Sequence, residues 1–138
     1  MIGVNATYRL APAHRWPAGS DDVAAVVRWV REHIGEYGGD PERIFLMGQS
    51  AGAAHVAAYV ARGGVPLAGA LLLSGLYDPA VFEPSPLNAA YYGDDPALFA
   101  TQSSLEGHNH ISALLELNLG ESSLTRAITD FIGASIPQ

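Results

Sequence analysis

The sequence contains no cysteine in its 138 residues, which excludes disulfide bonds, thiolate nucleophiles and cysteine-ligated zinc. Basic residues are also few, because 7 Lys and Arg stand against 14 Asp and Glu, for a net charge of −7. No run of Lys or Arg occurs. The charge pattern therefore argues against nucleic acid and against an anionic membrane surface as partners.

Residues 1–12 contain neither a basic start nor a long apolar core. The sequence therefore predicts no signal peptide and no membrane-spanning segment, with the cytoplasm as the default location. An apolar content of 49% and a charged content of 15% are typical of a folded chain rather than a disordered one. The length predicts a single domain over residues 1–138.

Three stretches have the character of strands. Residues 1–8 interleave β-branched and aromatic residues with small ones, residues 43–47 are strongly strand-biased, and residues 68–73 form a continuous apolar run. A continuous run of this kind is typical of a strand that is buried on both faces of a parallel sheet.

Helices are predicted between these strands. Ser20 or Asp21 is the expected N-cap of the first helix, whose apolar residues repeat at helical spacing up to Ile34. Residues 51–61 predict a helix of small residues, and residues 88–92 a short helix. The alternation predicts an α/β fold, a three-layer sandwich with a mainly parallel sheet of about three strands and helices on both faces.

Residues 48–52 read G-Q-S-A-G and lie between a predicted strand and a predicted helix. This is the context of a nucleophile elbow, with Ser50 at the tip, Gly48 and Gly52 leaving room for the turn, and the Ala51 amide placed for an oxyanion. The alternative is an ordinary strand-to-helix turn in which Ser50 is only an N-cap. A phosphate loop of a flavodoxin-like nucleotide binder fits poorly, because alanines follow the glycines.

The blocks around this turn resemble the α/β-hydrolase superfamily, most closely the bacterial carboxylesterases related to hormone-sensitive lipase and ferulate esterase. N-A-T-Y-R-L-A-P at 5–12 and G-G-D-P-E-R-I-F-L-M-G-Q-S-A-G at 38–52 are similar to the family's approach to the elbow. L-L-S-G-L-Y-D-P at 72–79 and E-G-H-N-H-I-S at 106–112 look like its next strand and its catalytic-histidine loop.

The resemblance implies a serine hydrolase that cleaves small-molecule carboxylic esters and uses neither a cofactor nor a metal. It makes Ser50 the nucleophile and His110 the base, because the family's loop has the pattern G-x-x-H that starts here at Gly107. His108 is the substitute base. The alternative for this histidine pair is a surface loop or a two-ligand metal site.

The third member of the triad should be an acid between residues 51 and 109, because the family has the chain order Ser, acid, His. Asp78 is the best candidate, since it follows the strand next to the elbow strand. It is equally well explained as a turn residue ahead of Pro79. The other candidates are Glu83, Asp94, Asp95 and Glu106.

The chain also departs from the family's pattern. It contains no H-G-G tripeptide, and Leu105 leads directly into Glu106 with no room for the strand that normally carries the acid. The sequence is therefore interpreted as a truncated α/β-hydrolase domain, and the alternative function is a catalytically weak or inactive hydrolase-like domain. In the resembled fold, the strand that carries H-G-G lies between residues 1–8 and 43–47. Without it, either the two strands close up, or another chain fills the space, or the sheet has an exposed edge, and a homodimer formed by strand addition is one hypothesis.

Overall fold

The computed structural model describes residues 1–75 and 85–93. Helices and strands alternate along this part of the chain, and this confirms the predicted α/β class. The elements in order are α1 (Ala18–His33), a 3-10 turn (Ile34–Tyr37), β1 (Phe45–Gln49), α2 (Ala51–Ala61), β2 (Gly69–Leu73) and α3 (Pro86–Tyr92).

The sheet consists of β1 and β2, which run parallel with Met47 opposite Leu71. The α2 helix makes the crossover between the two strands, as parallel pairing requires. β1 starts two residues later than the predicted 43–47, and β2 falls within the predicted 68–73. The carboxyl ends of the two strands consequently meet at one edge of the sheet.

The strand predicted over residues 1–8 is not formed, because these residues belong to no helix or strand. The sheet therefore has two strands in the described residues, against the expected three or so. The physical reason is pairing. A strand is stable only when a neighbour satisfies its backbone groups, and a cavity lies between residues 1–8 and β1.

α1 packs by the apolar face that its sequence predicts, with Val27, Val30 and Ile34 buried in the core. Its predicted N-cap is wrong. The helix begins at Ala18, and the Ser20 hydroxyl donates to the Pro17 carbonyl at 2.9 Å instead of accepting a bond from the helix.

α2 spans the predicted residues 51–61, and its small side chains let it approach the sheet closely, with Ala53 fully buried. Leu46 of β1 packs against the core on the helical side. Met47 faces the opposite way and is 53% exposed. Over Met47, the described residues do not show the second helical layer that a three-layer sandwich requires.

Candidate active site

Ser50 alone connects β1 to α2. Its backbone has φ 52° and ψ −120°, a left-handed conformation that residues other than glycine adopt only when their surroundings impose it. The Ser50 N–H donates to the Leu73 carbonyl at 2.9 Å. This bond fixes the strained residue at the edge where both strands end.

The glycines on either side of Ser50 differ in their surroundings. A Cβ on Gly48 would lie 2.5 Å from the Gly52 carbonyl oxygen and 2.7 Å from the Ala53 nitrogen, so the turn cannot close with any side chain there. Beyond its chain neighbours and the backbone of its own helix, a Cβ on Gly52 would meet no atom of the described residues within 4 Å. The described residues thus leave no room for a side chain at Gly48 and show no clash for one at Gly52.

Ser50 occupies the N-cap position of α2 without capping the helix. Its side chain accepts no capping hydrogen bond, while its carbonyl accepts from the Ala53 and Ala54 N–H groups at 3.0 and 3.2 Å. The Ala51 N–H belongs to the first turn, whose amides have no acceptor within the helix and lie at its positive end. The Ser50 hydroxyl and the Ala51 N–H therefore make no hydrogen bond within the helix.

The order of a strand, a strained serine and a helix can now be compared with known proteins. A sequence model described as the alpha/beta hydrolase fold matches residues 1–120. The chain belongs to this hydrolase family. Among curated relatives, carboxylesterase NlhH of Mycobacterium tuberculosis is 52% identical over 75 residues, which are 51% of this chain and 24% of that protein.

Two further relatives agree with this assignment. Esterase LipI of Mycobacterium tuberculosis is 38% identical over 102 residues, covering 70% of this hydrolase chain and 31% of that protein. A solved arylesterase structure aligns with a TM-score of 0.56 and 25% identity, over 68% of this chain and 37% of the arylesterase. The chain spans about a quarter of the length of carboxylesterase NlhH.

Ser74 is a feature of the hydrolase chain that sequence reasoning missed. It follows β2 directly, has φ 49°, and is only 7% exposed. Its Oγ has no hydrogen-bond partner in the part of the chain that the structure describes. Each described strand is thus followed directly by a serine with positive φ, and the two serines lie at the same edge of the sheet. The one feature of the sequence that could have pointed to Ser74 is its position directly after an apolar run.

His55 of α2 is buried, with 5% of its surface exposed. Its ring contacts the Tyr8 ring with centroids 4.5 Å apart, and its Nδ1 lies 3.4 Å from the Tyr91 hydroxyl. Burial lowers the pKa of His55, and the charge of Asp22 opposes this shift. A Cβ on Gly19 would lie 2.6 Å from the imidazole, so glycine is needed there.

His110, His108 and Asp78 lie outside the described residues, and their roles stay predictions. Of the two histidines that precede the Ser50 turn, His14 is exposed, whereas His33 is partly buried with Nδ1 2.8 Å from the Trp29 carbonyl. No helix within residues 1–75 and 85–93 has the length and apolarity needed to cross a bilayer. The cytoplasmic location stays a prediction.

Proposed function

We propose that this chain carries the nucleophile of a serine hydrolase that cleaves carboxylic esters, and that the nucleophile is Ser50. The observation that carries the proposal is the Ser50 backbone at φ 52° between β1 and α2, with a hydroxyl that does not cap the helix. A strained backbone conformation is stable only where the fold imposes it, and such strain concentrates at functional sites. The identity to a carboxylesterase and an esterase supports the substrate class.

In the proposed reaction, Ser50 Oγ attacks the ester carbonyl carbon while the His110 imidazole takes the hydroxyl proton. The carbonyl oxygen becomes an oxyanion that accepts a hydrogen bond from the Ala51 N–H. The tetrahedral intermediate then expels the alcohol, which receives the proton from His110. Water attacks the acyl-enzyme with the same base, releasing the carboxylic acid and restoring Ser50. These steps require no cofactor.

Asp78 is proposed as the group that orients His110 and stabilises its charged form. The support is positional. Asp78 follows β2, and β2 is parallel and adjacent to β1, so residues just past both strands start from one sheet edge. The Ser50 N–H to Leu73 carbonyl bond ties these two ends together.

The second candidate is a hydrolase-like domain with little or no turnover. It is favoured by the sheet of the described residues, which has two strands. This candidate shares the fold and the Ser50 turn with the first. The two differ only in whether the Ser50 hydroxyl is activated.

Covalent labelling with a fluorophosphonate separates the two candidates. An activated serine attacks phosphorus and becomes labelled without needing a fast deacylation step. We expect the wild-type chain to be labelled at Ser50 and Ser50→Ala to remain unlabelled, with Ser103→Ala as a labelled control. Absence of labelling in the wild type, with the fold verified by circular dichroism, would favour the inactive domain.

The base is tested by comparing two neighbouring histidines. We expect His110→Ala to lower hydrolysis of p-nitrophenyl acetate by a factor of about 10³ or more, as loss of a triad base does. His108→Ala should retain a measurable rate. Equal losses in both variants would remove the assignment of the base to His110 while leaving the Ser50 labelling result intact.

A further inference from the structure

Three polar side chains are buried in the described residues, and Ser74 is the one among them that has no hydrogen-bond partner there. Ser20, the other buried serine, donates to the Pro17 carbonyl at 2.9 Å and accepts from Arg62 Nη1 at 2.7 Å. The third, His55, has a tyrosine hydroxyl 3.4 Å from its Nδ1. Ser74 is therefore an exception within this part of the chain, and the exception needs a physical reason.

The buried hydroxyl of Ser74 destabilises the fold, because it has lost its hydrogen bonds to water and gained none from the described residues. The backbone of Ser74 adds to this cost, since its φ of 49° is a conformation that residues other than glycine rarely adopt. Glycine at this position would avoid both penalties. Stability therefore does not account for a serine here, and exceptions of this kind concentrate at functional sites.

Ser74 lies beside Ser50 at the edge of the sheet. β1 and β2 run parallel in a register that pairs Gln49 with Leu73. Ser50 and Ser74 are the next residues along the two strands, and the Ser50 N–H donates to the Leu73 carbonyl at 2.9 Å, so the pairing continues into both serines. Neighbouring strands are about 4.8 Å apart, a separation that a hydrogen bond between two serine side chains can span.

The two hydroxyls are chemically complementary. A hydroxyl has one proton to donate and two lone pairs that accept. In the proposed reaction Ser50 Oγ gives its proton to the base, so this oxygen becomes a stronger acceptor as it attacks the ester. The Ser74 hydroxyl can supply the donor, and its burial strengthens such a bond because the local dielectric is low.

We propose that Ser74 is a positioning residue for Ser50, and that its hydroxyl donates a hydrogen bond to Ser50 Oγ when the nucleophile is oriented for attack. This inference rests on the proposed function of Ser50. The bond selects one of the staggered rotamers of the Ser50 side chain and holds the oxygen there. Ser74 keeps its own proton throughout, while the proton of Ser50 goes to the base.

The rate of fluorophosphonate labelling at Ser50 tests this bond, together with the urea midpoint of unfolding. Ser74→Ala removes the hydroxyl and keeps the Cβ, and we expect it to be labelled at least about tenfold more slowly than wild type. Its urea midpoint should be no lower than that of wild type, because no stabilising hydrogen bond is lost. Ser74→Cys, whose thiol is a weaker donor, should be labelled at an intermediate rate.

Two further variants separate the hydroxyl from other effects of substitution. Ser74→Gly also removes the hydroxyl but relieves the strain at φ 49°, so it should be labelled as slowly as Ser74→Ala and have a higher urea midpoint. Ser20→Ala is the matched control, because Ser20 is a buried serine whose hydroxyl is bonded to Pro17 and Arg62. It should lower the urea midpoint and leave the labelling rate as in wild type.

Labelling of Ser74→Ala at the wild-type rate would overturn the inference and leave the assignment of the nucleophile intact, whether or not Ser74→Gly is slow. A urea midpoint that falls in Ser74→Ala as it does in Ser20→Ala would also overturn it, because the hydroxyl would then have a stabilising structural partner. No labelling of the wild type would overturn both this inference and the proposed function, so the two failures are distinguishable.

Discussion

Within the described residues, two serines directly precede a helix, Ser50 before α2 and Ser85 before α3, and they use their hydroxyls in different ways. Ser85 has φ −138° and ψ 149°, an extended backbone, and its Oγ accepts a bond from the Asn88 N–H at 3.1 Å. Ser50 has φ 52°, and its side chain caps nothing. An extended N-cap directs its hydroxyl at the helix, whereas the strained one keeps its hydroxyl available.

The difference originates in what comes before each serine. Ser50 is reached directly from β1, and the chain must reverse within one residue to start α2 against the same sheet. Gly48 makes this possible because the α2 backbone lies where its side chain would be. The same residue type at the same helix position is thus a structural cap in one place and a candidate nucleophile in the other.

The largest expected change in stability concerns Gly48, the glycine of the Ser50 turn that has no room for a side chain. Gly48→Ala would place a methyl group 2.5 Å from the Gly52 carbonyl oxygen, and backbone cannot yield as a side chain does. We expect the free energy of unfolding to fall by about 3 kcal/mol, measured by urea denaturation. Gly52→Ala meets no clash with the described residues and should gain about 0.5 kcal/mol from better helix propensity. Equal losses of stability in the two variants would contradict the difference in room between Gly48 and Gly52.

Relief of strain at the turn is the next largest effect. Ser50→Gly should raise the free energy of unfolding by about 1 kcal/mol, because glycine adopts φ 52° without a steric penalty. The same variant should lose all fluorophosphonate labelling. Stability that falls instead would mean that the Ser50 side chain makes a stabilising contact, and the comparison with Ser85 would fail.

The capping serine should behave in the opposite way. Ser85→Ala removes the acceptor for the Asn88 N–H, and loss of such a cap costs about 1 kcal/mol. We expect lower stability in urea together with unchanged labelling at Ser50. Ser85→Asp, which keeps an acceptor at the N-cap, is the control that should restore most of the stability.

The smallest effect concerns His55 of α2, which contacts Tyr91 of α3 and so joins the two helices. Burial lowers the pKa of His55 in the folded state, so below the unfolded value of about 6.5 the unfolded chain binds more protons. Stability should therefore fall as the pH drops from about 7 toward 5. The groups that face the ring are Tyr8, Tyr91 and Asp22.

The readout for His55 is the slope of unfolding free energy against pH rather than its level, because the substitution itself can be destabilising. His55→Gln should flatten the slope, whereas His14→Gln, at an exposed position, should leave it as in wild type. A slope that persists in His55→Gln would assign the acid sensitivity to other groups.

Sequence patterns predicted the elements around Ser50 well. The bounds of α2 agree with the prediction because small residues fill the helix, Ser50 precedes it, and Gly63 follows it with φ 74°. The N-cap of α1 was predicted wrongly because the Ser20 hydroxyl has a distant partner. Arg62 Nη1 donates to it at 2.7 Å, across 42 positions of sequence.

The strand over residues 1–8 failed for a related reason. Its alternation of apolar and polar residues is real, but strand formation depends on a neighbour that sequence periodicity does not reveal. The sequence did not predict the burial of His55, because the Tyr8 and Tyr91 rings that cover it are far from it along the chain.

By itself, the sequence determined the α/β alternation, the position of the Ser50 turn and the family, because periodicity, glycine sterics and a close run of motif residues are local properties. The tertiary structure alone decided which glycine of the turn is required, which serine hydroxyl is left unused by a helix, and that residues 1–8 stand apart from β1. Those outcomes depend on atoms brought together from distant parts of the chain, where packing and backbone pairing outweigh local preference.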